Sequence, residues 1–170
     1  ISNFSHRLSK LTGLSIEGNK SESNFIILFL DLDEQRNFGE KLKELMPQLT
    51  SAMIEAITSS PRTTFCSVFA LSRPSNAYEY TAAIILIKSE HSRLMRKSCI
   101  HEEMAQSLGL SNDSKIARPS IFNDDQEFAF LTTHDENLLK ILYDNRLKPG
   151  MNHKDALPIV TKIAKELMNF

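Results

Sequence analysis

Residues 81–87, Thr-Ala-Ala-Ile-Ile-Leu-Ile, place the tightest constraint on how this chain can fold. The run sits in a predicted strand over 78–88, and it is too apolar for an exposed edge unless a helix or a bound molecule covers it. A helix follows directly: His91 or Ser92 opens it, and Gly109 ends it in the manner of a C-terminal glycine. Within that helix Ile100, Met104 and Leu108 make an apolar stripe. Glu102 and Gln106 lie side by side, one turn apart, on a polar face that Cys99 and Glu103 flank. If Cys99 is buried, those carboxylates cannot all be freely solvated, and each needs a cation, hydrogen-bond donors or a raised pKa. The plainer alternative is a helix with a polar face and some hydrogen-bonded structural carboxylates.

The other elements follow from periodicity. Phe4, Leu8 and Leu11 stand at helical spacing before Gly13, and Phe25–Leu30 is a short apolar run read as a buried strand. Phe38, Leu42, Leu45, Leu49, Met53 and Ile57 form one stripe, interrupted by Pro47, which predicts a kinked helix or two helices. Residues 63–71 read as a strand joined to 78–88 by the turn-like Arg73-Pro-Ser-Asn76. A polar loop spans about 111–127. A helix capped by Thr133 or Asp135 follows it and ends near Tyr143. A last helix over 153–168 has Ala156, Ile159, Ile163 and Leu167 as its stripe. The length of 170 residues and the absence of repeats or linkers predict one domain, residues 1–170, with a real core.

A net charge of −1 without basic clusters argues against nucleic acid as a partner. The longest apolar run is far too short to span a bilayer. No signal peptide is visible, and the chain begins at Ile1, as a mature or trimmed protein would. The two cysteines, Cys66 and Cys99, fit a disulfide or a pair of buried free thiols equally well.

The stretch Cys99-Ile-His-Glu-Glu-Met-Ala-Gln-Ser-Leu-Gly-Leu-Ser-Asn-Asp113 resembles the motif helix of zincin metalloproteases with its ligands exchanged. In His-Glu-x-x-His two histidines bind zinc and the glutamate activates water; a Leu-Gly turn then leads to a third ligand. Aligned on Leu108-Gly109, the ligand positions hold Glu102, Gln106 and Asn112, and Glu103 falls on the general base. The wider pattern is similar to the bacterial domain-of-unknown-function family two-nine-two-seven. It is carried by Cys99, Glu102-Glu103, Gln106, Leu108-Gly109-Leu110 and Asn112-Asp113, then Ser120-Ile121-Phe122-Asn123, Leu131-Thr132 and the run Leu142–Met151.

That resemblance implies an α+β, zincin-like single domain: a twisted mixed sheet on a motif helix, with helices at the C-terminus. It also implies export to the periplasm, cell envelope or exterior, and through export a Cys66–Cys99 disulfide. Tyr143 or Arg146 would stabilise an oxyanion, or Arg146 would neutralise Glu102 or Glu103 without any metal. Met151, after Pro149-Gly150, would act as a methionine turn, or simply be a buried methionine beside a Pro-Gly turn.

The ligand set itself is hard oxygen, which suits calcium, magnesium or manganese better than zinc, and with one charge it would bind weakly. No cofactor is therefore expected, a divalent cation being the open alternative. A second register, His101-Glu102-x-x-Ala105, fails because alanine cannot coordinate, leaving only a chance meeting of His101 with His134 or His153. Asn112, Asp113, Asn123, Asp124 and Asp125 could hold calcium but lack EF-hand spacing, and Asx turns explain them as well. Asp31 and Asp33 are equally ambiguous. The expected function is a non-catalytic or atypical peptidase-like protein that binds a peptide or protein partner, with strand 78–88 as the candidate pairing edge. The alternatives are an active metal-dependent peptidase with Glu103 as base, and a structural interaction module.

Overall fold

The computed structural model describes residues 1–18, 23–123 and 127–169. The described residues form seven helices and one three-stranded mixed sheet, an α+β fold. Strand β1 (Phe25–Leu30) runs parallel to β3 (Asn76–Lys88), and β2 (Cys66–Arg73) runs antiparallel to it, giving the order β1-β3-β2. The apolar run 81–87 is thus the middle of the sheet and not its edge, which corrects the expectation of a pairing edge at 78–88. Its composition has a direct cause. Ile85 and Ile87 face one core with α1 (Ser2–Thr12), α5 (Arg93–Gln106) and α6 (Thr133–Leu142). Ala82, Ile84 and Leu86 face a second core with α3 (Gly39–Leu45) and α4 (Ser51–Thr58). A strand covered on both faces has no polar alternation to show. β1 is the other edge, so Phe29 stays 38% exposed while Leu28 and Leu30 are buried.

The stripe around Pro47 resolves into two helices, α3 and α4, with a break over residues 46–50. An unexpected short helix, α2 (Leu32–Asn37), precedes them. Asp31 is its N-cap, its carboxylate accepting from the Asp33 and Glu34 amides while Glu34 reaches back to the Asp31 N–H. Asp31 and Asp33 are therefore spent on a helix start. Gln35 of α2 is fully buried: its amide donates to the carbonyls of Ile57 (2.7 Å) and Ser60 (3.1 Å), and its oxygen accepts from the buried Lys88 ammonium. Burial lowers the Lys88 pKa.

The C-terminal helices are α6 and α7 (His153–Met168). Thr132, and not Thr133 or Asp135, is the N-cap of α6, and Asp135 is its capping-box partner. Asp135 also accepts from Ser120 Oγ (2.5 Å) and the Ile121 N–H (3.1 Å), pinning the long loop onto the helix. The α7 stripe is as expected, with Ile163 buried and Ala156, Ile159 and Leu167 half-buried.

One covalent bond ties sheet to motif helix. Cys66 at the start of β2 is bonded to Cys99 in α5, across a separation of 33 residues. Closing a loop of that size stabilises the folded chain by about 3–4 kcal/mol. The pair Cys66→Ser/Cys99→Ser should therefore lower the melting temperature by roughly 6–16 °C. Thermal scans of the variant beside wild type measure this. An unchanged midpoint would mean that packing alone holds α5.

Candidate functional site

Ser92 caps α5, accepting from the Met95 N–H, and the helix ends through Ser107 into Gly109 at φ +115°. Only glycine suits that turn, because a Cβ there would be strained and would lie 3.0 Å from Leu142 Cδ2. The tight exit sends the chain back along the helix. Asp113 Oδ1 consequently accepts from Gln106 Nε2 at 2.8 Å. The buried residues Cys99, Glu103 and Gln106 stand at helical spacing on the side turned to the sheet, with Met104 and Ala105 in the core beside them.

Between this helix and the start of β2 lies a cleft of about 360 Å³. Its helix side is Glu102, Glu103 and Gln106; its strand side is Phe65–Val68; Ser111 and Asp113 close it. Among the described residues, those that line the cleft carry carboxyl groups and no positive charge. Glu103 is only 5% exposed, and among the described residues no hydrogen-bond donor reaches its carboxyl. Burial first, and then the nearby Glu102 and Asp113, push its pKa up to about 8. The proton therefore stays on Glu103 at neutral pH.

The expected metal positions are brought together only in part. Glu102 and Gln106 line the cleft, whereas Asn112 is exposed and its neighbour Asp113 takes the place beside Gln106. One possible ligand atom each from Cys66, Glu102 and Glu103 lie within 4.8 Å of one another. The Cys66 sulfur, however, is held in the disulfide and offers no thiolate. The Gln106 amide nitrogen is turned to Asp113. A catalytic zinc needs nitrogen or thiolate donors that this set lacks, so the residues do not fit one.

A family model described as "Protein of unknown function (DUF2927)" matches residues 1–162. The chain belongs to that family. No curated protein and no solved structure matches it significantly.

In this DUF2927 member the remaining expected residues serve the frame. Tyr143 donates from its hydroxyl to the Leu108 carbonyl at 2.8 Å, anchoring the Leu-Gly turn, and burial raises its pKa. Arg146 pairs with Asp144 and with Glu166 of α7 and not with Glu102 or Glu103. That pairing holds the Asp144 carboxyl down at about 2. Met151, expected to be buried, is 38% exposed; the neighbouring Gly150 approaches the Tyr78 ring. His101 stacks on Phe4 at 3.9 Å, meets Phe130 edge-on, and accepts the Leu131 N–H. Burial, followed by the charge of Arg7, lowers its pKa to about 4. It forms no metal group with His134 or His153 among the described residues. Asn123 is nearly buried, donating to the carbonyls of Lys115 and Ala117, whereas Asp124 and Asp125 lie outside the described residues.

Sequence reasoning missed the strand wall, Phe65–Val68, and the part played by Asp113. For Asp113 a signal existed, since a glycine turn followed by a short return brings an acidic residue back toward the helix.

Two stability outcomes follow. The Glu103 pKa is raised on folding, from 4.5 to about 8, so the folded state holds the proton more tightly. Stability is full below about pH 4.5 and is lost progressively as pH rises toward and through 8. Glu103→Gln should flatten this decline and raise the midpoint at pH 8.5, by roughly 2–4 °C for each kcal/mol relieved. Denaturation curves across pH 5–9, about one per unit, measure the slope; equal slopes would clear Glu103. Tyr143→Phe should cost about 1 kcal/mol at every pH below the tyrosine range.

Proposed function

We propose that this chain is an exported, zincin-like protein of the bacterial cell envelope that binds a peptide or protein partner in extended form without cleaving it. The observation that carries this reading is the outer edge of β2, which has no strand partner among the described residues and runs along the rim of the cleft. The Lys88 N–H donates to the Phe65 carbonyl, so by antiparallel alternation the N–H and C=O groups of Cys66, Val68 and Ala70 point outward. An added strand would pair with these groups. Cys66 and Val68 also pack on the α5 side of the sheet, so alternate side chains of a paired strand would point toward the cleft.

The zincin likeness is supported by the motif helix lying against the sheet and by the Leu-Gly turn that follows it. Export is supported by the disulfide, and no helix of the described residues is long and apolar enough to cross a membrane. Binding is preferred to hydrolysis because the cleft offers no nitrogen or thiolate donors for a catalytic zinc among the described residues.

Amide exchange read by NMR tests the proposal, with a pooled library of acetylated, amidated pentapeptides as the probe. Slowed exchange at Val68 and Ala70, without slowing at Ser67 and Phe69 and with the peptides intact by mass spectrometry, is the expected outcome. Protection elsewhere, or cleaved peptides, would overturn it.

A further inference from the structure

We infer that the cleft is a side-chain pocket for a guanidinium group, an arginine presented by a strand paired on β2. This rests on the strand-binding reading above and adds the identity of the residue that enters.

The first argument is Glu103. It is 5% exposed, it lines the cleft, and no donor among the described residues reaches it. Buried carboxyls in folded proteins are ordinarily hydrogen-bonded, so an unserved one facing a cleft marks a place for a donor from outside. The second argument is spacing. Glu102 and Glu103 each bring a carboxylate oxygen within 4.8 Å of the other. One planar guanidinium, with its five donors in a fixed fork, reaches two such acceptors at once; an ammonium is a single point.

The third argument is size and wall chemistry. A cleft of about 360 Å³ far exceeds what a bare cation fills, since a water molecule's share of liquid volume is about 30 Å³. Phe65, 41% exposed, and Val68 both line its strand side. An arginine stem packs on such apolar groups while its head stays among carboxylates, and the aromatic face adds cation–π attraction.

The groups facing Glu103 set a linked proton effect. Glu102 from α5 and Asp113 from the returning loop both oppose its ionisation, and Cys66 from β2 does not titrate. An entering guanidinium reverses that balance. Glu103 then gives up its proton, so affinity climbs as pH rises toward 8.

The test compares acetyl-Thr-Val-Arg-Val-Thr-amide with its citrulline twin, which keeps the planar shape but carries an oxygen in place of one terminal nitrogen and has no charge. Titrations are followed by amide NMR on the intact, disulfide-bonded protein at pH 6.5, 7.5 and 8.5. The expected result is at least tenfold tighter binding of the arginine peptide at pH 7.5, with the gap widening at higher pH. Glu103→Gln should narrow the gap and abolish its pH dependence; Glu102→Gln serves as a second variant should the first fold poorly. Equal binding of the two peptides, with Val68 and Ala70 protected, overturns the guanidinium inference and leaves strand binding intact. Binding of neither peptide, together with no protection of β2 from the pentapeptide pool, overturns both. Stoichiometric uptake of manganese or calcium that excludes the arginine peptide would make the cleft a metal site and also overturn the inference.

Discussion

The Cys66–Cys99 bond is the constraint on which the rest of the site depends. It fixes the middle of α5 to the first residue of an edge strand. Glu103 stands one helical turn beyond Cys99, so the same bond carries a carboxyl into the gap between strand and helix. Nothing in helix propensity would bury a glutamate there. The helix must lie against the sheet for its apolar residues to reach Ile85 and Ile87, and the disulfide holds it in the rotation that turns Glu103 inward.

Other buried polar groups show how unusual this carboxyl is. Asp135 is fully buried and accepts four hydrogen bonds: from Ser120 Oγ, from the Ile121 N–H, and from the Thr132 N–H and hydroxyl. Gln35 uses its amide on two carbonyls and its oxygen on Lys88. Asn123 bridges two loop carbonyls. In each case the fold supplies the partners that burial demands. Among the described residues Glu103 has neighbouring carboxyl groups and no donor, and those groups make its charge more costly. A group left in that state at the wall of a cleft is a place where an external donor gains more than it would on an exposed surface.

Much of the architecture was legible. Helices α1, α5 and α7 were readable from periodicity and stop signals, because a helix that packs on one face must repeat its apolar residues at that spacing. The hairpin turn at Arg73–Asn76 was equally plain. The reading of 78–88 as an edge failed because the continuous apolar run of β3 and that of β1 look alike in one dimension. Only pairing distinguishes a central strand from an edge, and the sheet order put β3 in the middle. Helix α2 was hidden because Asp31 and Asp33 fit a cap, a loop or a ligand equally well until Glu34 was seen to complete the capping box. The family resemblance implied a role for Arg146 at the motif helix, yet the turn after α6 directs it to Asp144 and Glu166.

What the sequence by itself determined was the motif frame: a helix with Glu102, Glu103 and Gln106 at set spacing, a glycine exit, and membership in a family that residues 1–162 carry. These are properties of covalent order and local helix geometry, and they hold whatever packs around them. The tertiary structure alone decided which of those groups share a cleft. It brought in Asp113 in place of Asn112, added Phe65–Val68 as a wall, and withdrew Arg146, Met151 and His101 to structural work. The protonation of Glu103 was decided there too, because desolvation and the nearness of other charges depend on contacts between segments distant in the chain.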